Sequence, residues 1–389
     1  MSGHGHAPIL GPHAGAQLPP ESSQGSGGSE PARGFADAGA KRAETRQRKP
    51  ERQRAGEPKG ATCMSLDRLL PLLVCPACRV PLRGEPVGAT LACAQCQATY
   101  PIHDGVAILL TEASRSMLAA GREPDPSAGR RQPRWRAGLK KWVQAVSPGG
   151  MGCDPGQEPR IRSMIRNLGD GAAILDLGSG GRWWGPTVIT MDIDWLPHVC
   201  LVGDGHRLPF GDDTLDGVIC TGVLEHVDDA EVVTREIWRV TRPGGLIYVA
   251  VPFMQGYHPA TGTHQDFRRL THIGLQRLLS TFEQLDFGVS GGPSASLAWI
   301  LREYLALLFF DGGRGYSLAY LMAGWLTCWM PVLDRWLSRR HKAHRIACGF
   351  YLVGRKPSGG AHGGSPASKP SEPRLGNATP SLRFPRPAS

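Results

Sequence analysis

The stretch of sequence that decides the fold is Ile174-Leu-Asp-Leu-Gly-Ser-Gly-Gly181, an apolar run that ends in an acidic residue and a glycine-rich turn. A parallel strand followed by such a turn is typical of sites that bind nucleotide-like ligands. Three further signals follow in order: Met191-Asp-Ile-Asp194, Gly203-Asp-Gly-His-Arg-Leu-Pro-Phe210 and Arg239-Val-Thr-Arg-Pro-Gly-Gly245. One glycine pair is weak evidence, whereas four ordered signals predict a cofactor-binding domain.

The apolar patterns after residue 160 alternate between strand and helix, which predicts an α/β fold with a doubly wound sheet. The predicted strands are 174–177, 187–193, 217–221, 246–252, 285–290 and 347–355. A helix is predicted over 228–240, with Asp228 or Asp229 as its N-cap. Ligands of such sheets bind beyond the carboxyl ends of the strands, where the four motifs fall.

Together the motifs resemble the class I S-adenosylmethionine-dependent methyltransferases, in a type 11-like subgroup that reads LDxGxG, D, LPF, LEH and RVxxPGG, over roughly residues 160–356. The resemblance implies a Rossmann-like sheet and S-adenosylmethionine as cofactor. The resemblance implies that Asp176 and the glycine-rich turn bind the methionine part of the cofactor. It also implies that Asp192 binds both ribose hydroxyls and that Asp204 binds the adenine amine. The full set of implied cofactor residues is Asp176, Gly178, Ser179, Gly180, Asp192, Asp194, Asp204, Gly205, Thr221 and His226.

One departure from that pattern concerns the first crossover. Only Arg182-Trp-Trp-Gly-Pro-Thr187 separates the glycine turn from the second strand, whereas a crossover with its helix needs about ten to twelve residues. We therefore expect this helix to be missing or reduced to a turn. Trp183 or Trp184 then either covers the cofactor or packs on the sheet, and Arg182 occupies the place of the family's third turn glycine.

Transfer of a methyl group from a sulfonium is an in-line displacement, so it needs a general base only when the acceptor is a protonated nucleophile. The segment His258-Pro-Ala-Thr-Gly-Thr-His-Gln-Asp-Phe-Arg-Arg-Leu-Thr271 resembles an element of some family members. It either contacts the acceptor or forms a structural turn in which Asp266 pairs with a nearby arginine. The candidate catalytic residues are His258, His264, Asp266 and Arg268.

Four cysteines before this domain are spaced as a zinc ribbon: Cys75-x2-Cys78, fourteen residues, then Cys93-x2-Cys96. Four thiolates fill a tetrahedral shell, so the zinc should be structural, and the alternative is four unrelated buried cysteines. The surrounding sequence, above all Tyr100-Pro-Ile-His-Asp-Gly-Val106, resembles the small zinc-ribbon proteins that partner and activate methyltransferases.

An apolar insertion separates the last two predicted strands. Residues 315–333 carry no charge and are followed by Arg335, Arg339, Arg340, Lys342 and Arg345. A single membrane span would leave the last strand on the wrong side, so 295–345 is expected to form a helical hairpin. The hairpin is either a lid packed on the protein's own core or a contact with the membrane surface.

The 389 residues have a net charge of +10, but the excess lies in residues 1–62, 121–141 and 357–389, which disfavours nucleic acid as the substrate without excluding it. The expected organisation is a disordered tail 1–63, a ribbon 64–111, a linker 112–156, a methyltransferase domain 157–356 and a disordered tail 357–389. Met64 is the expected true start. Cysteine use and the lack of a signal sequence indicate the cytoplasm, with possible peripheral membrane contact.

The sequence therefore predicts an S-adenosylmethionine-dependent methyltransferase with an attached structural zinc ribbon. A glycan or a lipid-linked precursor is the first candidate acceptor, a small metabolite or quinone-like molecule is the second, and RNA or protein is the third. The alternative is a zinc-containing binding or scaffold protein with a degenerate methyltransferase fold, which the retained Asp176, Asp192 and Asp204 disfavour.

Overall fold

The computed structural model describes residues 64–84, 90–120, 156–257 and 265–358. The expected tail 1–63, most of the expected tail 357–389 and most of the expected linker lie outside the described residues. So do two candidate catalytic residues, His258 and His264.

Eleven strands and eight α-helices form the described part of the chain. The strands are β1 Leu82–Arg83, β2 Thr90–Cys93, β3 Thr99–His103, β4 Val106–Leu109, β5 Ile174–Leu177, β6 Val188–Asp192, β7 Leu201–Gly203, β8 Leu215–Thr221, β9 Thr241–Pro252, β10 Glu283–Val289 and β11 Gly349–Arg355. The helices are α1 Leu66–Leu69, α2 Glu112–Ala120, α3 Gln157–Leu168, α4 Ala230–Val240, α5 His272–Leu278, α6 Pro293–Phe309, α7 Gly313–Thr327 and α8 Asp334–Leu337.

The strands pair in the order β1-β2-β3-β4-β7-β6-β5-β8-β9-β11-β10. From β4 through β7, β6, β5 and β8 to β9 every pair is parallel, and β11 runs antiparallel between β9 and β10. The chain reverses its direction of winding between β5 and β8, so the carboxyl ends of these strands border one crevice. The predicted doubly wound α/β sheet is confirmed.

Alternate side chains of the central strands lie in two apolar clusters, one on each face of the sheet. In β8, Val218 and Cys220 belong to one cluster and Ile219 to the other. Helix α4 covers the first face with Val233 and Ile237, and helix α3 covers the second. Because side chains alternate with period two, burial on both faces makes these strands read as continuous apolar runs.

The elements differ from the predicted ones at several points. Residues 178–187 contain no helix, which confirms the missing first crossover helix. Asp229, not Asp228, caps α4, because its carboxylate accepts the backbone N–H of Glu231 and of Val232 at 3.0 Å each. The three-residue strand β7 was not predicted because so short a run has no visible period. Strand β9 begins five residues earlier than predicted, at Thr241, because its Pro and Gly residues read as a turn.

The cysteine-rich segment is part of the same sheet and core. Strand β4 pairs in parallel with β7. A second backbone contact joins Val74 N–H to the Pro209 carbonyl oxygen at 3.0 Å and Gly211 N–H to the Leu72 carbonyl oxygen at 3.1 Å. Leu73, Leu91 and Leu109 lie in the same apolar cluster as strands β5 and β8. The ribbon therefore extends the sheet instead of standing apart from it.

Polar contacts fix the same junction. The buried Glu236 carboxylate accepts from Arg79 at 2.8 Å, from Arg239 at 2.6 and 2.8 Å and from the Leu208 N–H at 3.0 Å. Helix α2, which lies in the expected linker, contributes Ser114, whose hydroxyl donates to Asp204 Oδ2 at 2.7 Å. A buried carboxylate is tolerated when its oxygens are paired in this way.

The insertion forms the predicted helical hairpin, with α6 and α7 joined by residues 310–312. Asp334 caps α6, because its carboxylate oxygens accept the N–H groups of Ser294 and Ala295 at 2.8 and 2.9 Å. Across the described ranges, no helix combines the length and apolarity that a membrane span requires.

Candidate active site and metal centre

The glycine-rich turn after β5 depends on backbone geometry that favours glycine. Gly178 and Gly180 have φ values of +67° and +58°. A Cβ on Gly178 would lie 2.3 Å from Val223 Cγ2, so a larger residue would force the strand ends apart. The N–H groups of Gly178 and Ser179 donate to the Met191 carbonyl oxygen at 2.9 and 3.1 Å, which fixes the turn against the end of β6.

Asp192 ends β6 with a nearly buried carboxylate that faces this turn. Its Oδ2 accepts the Gly180 N–H at 2.8 Å, and its Oδ1 accepts the Asp194 N–H at 3.1 Å. Each oxygen keeps a further lone pair, so the carboxylate can also accept hydrogen bonds from the hydroxyl groups of a ligand. The structure thus brings the predicted residues Asp192, Asp194 and Gly180 together.

Asp176 lies beneath the same turn and is fully buried. Burial raises the pKa of Asp176 to about 6, against the opposing effects of the Arg182 charge and a hydrogen bond from Trp184. Trp184 Nε1 donates to Asp176 Oδ2 at 2.8 Å, and Arg182 Nη2 lies 3.6 Å from Oδ1. Trp184 also packs on one apolar face of the sheet. Of the two roles considered for the tryptophans, Trp184 takes the packing role.

Asp204 follows β7 and makes its contacts within the chain with His206 and Ser114. Its Oδ1 accepts the His206 backbone N–H at 2.9 Å and contacts the His206 ring Nδ1 at 2.8 Å, while Ser114 binds Oδ2. Burial alone would raise the pKa of Asp204, but the hydrogen bonds from His206 and Ser114 outweigh it and lower the pKa below its usual range. Asp204 lines a cleft of about 640 Å³ next to the ribbon. A Cβ on neighbouring Gly205 would contact Val233 and Leu177.

A separate cavity of about 280 Å³ opens at the carboxyl ends of β8 and β9, near the lower size limit of small-molecule sites. Its lining residues are Gln157, Arg182, Thr221, Gly222, Glu225, His226, Ala250, Val251, Pro252, Gln255 and Ser290. Thr221 Oγ1 and Glu225 Oε2 are buried there and have no hydrogen-bond partner in the described part of the chain. Buried polar atoms without partners are rare, so this cavity suits a polar ligand.

Glu225 is the cavity residue that sequence reasoning missed, although it stands beside His226 in the quoted LEH motif. It is 5% exposed, and burial raises its pKa to about 7. Its Oε1 lies 3.8 Å from His226 Nε2, and His226 Nδ1 lies 3.0 Å from the Gln265 carbonyl oxygen. Glu225 can therefore change its protonation state near neutral pH.

The described part of the 258–271 segment forms one local ion pair and several contacts with residues 225–228. Asp266 pairs with Arg269, and the Arg268 guanidinium donates to the Asp228 carbonyl oxygen. The Phe267 N–H donates to the Glu225 carbonyl oxygen at 2.8 Å, which places the segment beside the cavity. For Asp266 the structure matches the expected turn in which it pairs with a nearby arginine, while His258 and His264 lie outside the described residues.

The four ribbon cysteines converge on one point. All four Sγ atoms lie within 4.8 Å of one another, with Cys75 Sγ and Cys96 Sγ 3.6 Å apart and Cys78 Sγ and Cys93 Sγ 3.3 Å apart. Tetrahedral Zn–S bonds of about 2.3 Å require sulfur separations of roughly 3.8 Å, so the cluster fits zinc. The Tyr100 hydroxyl contacts Cys75 Sγ at 3.1 Å and can orient that ligand. None of the eight described cysteines forms a disulfide.

Replacing Cys78 by Ser should remove zinc from a protein that otherwise carries one ion per chain, because a tetrahedral site loses one of its four thiolates. The zinc content is measured after dialysis under reducing conditions. The matched control is Cys328→Ser, an exposed cysteine outside the cluster, which should keep its zinc. Zinc-free wild-type protein, or equal loss in both variants, would contradict the assignment.

The raised pKa of Glu225 predicts a pH-dependent stability. Between the unfolded pKa of about 4.5 and the folded pKa of about 7, the folded chain holds a proton that the unfolded chain has lost. The Glu225 contribution to the free energy of unfolding is fully present below about 4.5 and is lost as the pH rises to about 7, by roughly 1.4 kcal/mol per pH unit. Glu225→Gln should remove this decline in denaturant unfolding, and an unchanged slope would refute it.

Comparison with known proteins supports both halves of this description. Residues 188–249 match the family described as methyltransferase domain, and residues 67–105 match the family described as Trm112p-like protein. The demethylmenaquinone methyltransferase of Streptomyces griseus is 46% identical over 55 residues, which cover 14% of this chain and 23% of that protein. The demethylmenaquinone methyltransferase of Streptomyces avermitilis is 42% identical over 101 residues, covering 26% and 38%.

The chain thus spans less than half the length of these curated relatives. Among solved structures, a complex of the Haloferax volcanii Trm112 methyltransferase activator and a methyltransferase matches with 16% identity and a TM-score of 0.30, over 58% of this chain and 96% of the matched chain. The family matches show that this chain carries a methyltransferase domain joined to a Trm112p-like zinc ribbon.

Proposed function

We propose that this chain transfers a methyl group from S-adenosylmethionine to a small acceptor. The observation that carries the proposal is the strand-end arrangement itself. Asp192 and the positive-φ turn at Gly178 and Gly180 lie at the carboxyl ends of β5 and β6, and Thr221 opens a cavity at the next strand. Ligands of doubly wound sheets bind at this edge, and the methyltransferase domain match covers β6, β8 and most of β9.

Different residues of the site suit different parts of S-adenosylmethionine. At Gly180 nothing lies within 4 Å of the place that a Cβ would take, which leaves the turn open to close approach by the methionine part. The Asp192 carboxylate, with Asp194 beside it, is suited to bind two ribose hydroxyls because charge-assisted hydrogen bonds to a carboxylate are strong. Thr221 and His226 then lie on the side of the sulfonium. The bound cofactor supplies an electrophilic methyl group, and the protein's task is to hold the acceptor in line with it.

Asp204 fits a revised role in this proposal. Because Ser114 and His206 already occupy its carboxylate, Asp204 acts mainly by fixing the end of β7 to helix α2. Helix α2 thereby positions the sheet edge that would receive the adenine. The cofactor map remains otherwise that of the resemblance, with Asp176 supporting the turn from below.

The acceptor we propose is an apolar or lipid-linked molecule. The curated relatives that match over part of their length are named as demethylmenaquinone methyltransferases, which favours a quinone-like acceptor over a glycan. If the acceptor atom carries a proton, Glu225 is the group best placed to take it. It lines the cavity, and a base with a pKa near the working pH transfers protons efficiently. His258 and His264 remain alternative candidates.

The rival proposal is a binding or scaffold protein with a degenerate methyltransferase fold. It draws on the missing crossover helix and on Asp176, whose Oδ2 already accepts from Trp184 while Arg182 lies 3.6 Å from Oδ1. Such a protein would keep the sheet and the zinc but would not bind the cofactor. Cofactor binding therefore separates the two proposals.

Asp192→Ala should weaken binding of S-adenosylmethionine about thirty- to a hundredfold, since a charge-assisted contact of roughly 2 to 3 kcal/mol is lost. Calorimetric titration measures the affinity, and zinc content together with thermal unfolding shows that the variant is folded. Glu231→Ala, which removes an exposed carboxylate on α4, is the matched control and should bind normally. Wild-type protein without binding would favour the scaffold, and equal affinity in Asp192→Ala would refute the cofactor map.

A further inference from the structure

The hairpin exposes an apolar surface that its own fold does not use. Fifteen of the 21 exposed large hydrophobic side chains in the described residues lie between residues 297 and 336. On α6 they include Leu297, Ile300, Tyr304 and Leu307, and on α7 Leu318, Met322, Trp325 and Leu326. These spacings of three and four residues place each set on one side of its helix. We name these eight residues of α6 and α7 the outer face of the hairpin.

The opposite side of each helix holds the hairpin together. Arg302 is buried, and its guanidinium donates to the Thr327 hydroxyl at 2.7 Å and to the Gly324 carbonyl oxygen at 3.3 Å. Ala306 and Ala323 are buried beside this contact and allow the helices to approach closely. The hairpin is therefore packed without its outer face, and the exposure of that face is not a consequence of loose folding.

A cluster of cations borders the outer face. Arg335, Arg339, Arg340, Lys342 and Arg345 are all exposed, and residues 335–345 contain no acidic side chain. The guanidinium of Arg340 lies 4.0 Å from the ring centroid of Trp336, which is itself 58% exposed. We name these five residues the basic rim.

The apolar outer face and the neighbouring basic rim together suit a lipid surface. An apolar helical face with tryptophans and arginines at its margin is typical of segments that lie in the interfacial plane of a bilayer. A second copy of the same face would bring two basic rims together, and their like charges would repel. An anionic bilayer instead offers both the apolar depth and the opposite charge.

We propose that the outer face and the basic rim together bind the surface of an anionic lipid bilayer. The hairpin would lie in the headgroup region with its apolar side chains inserted and the basic rim against anionic headgroups. This mode needs no membrane span, in keeping with the lengths of α6 and α7.

The hairpin is attached beside the cavity, which gives the contact a functional consequence. The Ser296 hydroxyl donates to the Met254 carbonyl oxygen at 2.7 Å, and the neighbouring Gln255 lines the cavity together with Ser290. A bilayer-bound hairpin would thus hold the cavity near the lipid, where an apolar acceptor is concentrated. This last consequence rests on the proposed methyl transfer, whereas lipid binding itself does not.

Co-sedimentation of the full chain with vesicles tests the proposal. We expect binding to phosphatidylcholine vesicles that contain phosphatidylglycerol, much weaker binding to phosphatidylcholine alone, and a decrease as salt shortens the Debye length to about 3 Å near 1 M. The triple variant Arg339→Gln, Arg340→Gln, Lys342→Gln should bind anionic vesicles roughly a hundredfold more weakly, since each cation near the surface contributes about fivefold. The double variant Leu307→Gln, Leu326→Gln should lose roughly tenfold or more.

A matched triple variant, Arg83→Gln, Arg235→Gln, Arg277→Gln, removes three exposed cations elsewhere and should bind vesicles nearly as well as the wild type. All variants should keep their affinity for S-adenosylmethionine, so failure of lipid binding is distinguishable from failure of the proposed function. No vesicle binding at low salt would overturn the proposal. A stable dimer that dissociates in Leu307→Gln, Leu326→Gln and does not bind vesicles would also overturn it, because the outer face would then be an interface between copies.

Discussion

The parallel pairing of β4 with β7 joins the ribbon to the larger sheet. Without it, the three-residue β7 would be an exposed edge strand beside the cofactor-binding end of the sheet. The ribbon covers that edge and shares the apolar core, and helix α2, which follows the ribbon, holds Asp204 through Ser114. The zinc cluster therefore supports the site structurally and takes no part in its chemistry. Four thiolates fill the coordination shell and leave the metal no open position.

The glycine-rich turn is supported by a short connection. A crossover helix normally supports this turn, and here a ten-residue connection without a helix takes its place. Trp184 and Arg182 supply the support from that short connection by engaging the buried Asp176, whose pKa is raised to about 6. Asp192 then meets the turn from the neighbouring strand through the Gly180 N–H. Two carboxylates on adjacent strands therefore set the shape of one loop.

Much of the fold could be predicted because its signals are local. The apolar run at Ile174–Leu177 and the cysteine spacing each depend on a few neighbouring residues. The contacts of Asp204 could not be predicted, because Ser114 lies 90 residues away in the sequence and meets it only in the folded structure. Glu225 was missed for a related reason, since its raised pKa follows from burial in the assembled cavity. The uncharged insertion fits both a lid and a membrane-surface contact, because its sequence does not show which side of each helix packs on the protein.

We propose that the carboxyl ends of β5 and β6 hold the methyl donor, and a crystal structure of the protein with bound S-adenosylhomocysteine is the decisive measurement. We expect ribose hydroxyls within hydrogen-bond distance of the Asp192 carboxylate and the amino-acid part against the turn at Gly178–Gly180. Electron density that places the ligand in the cleft beside the ribbon, or anywhere without a contact to Asp192, would rule out this site.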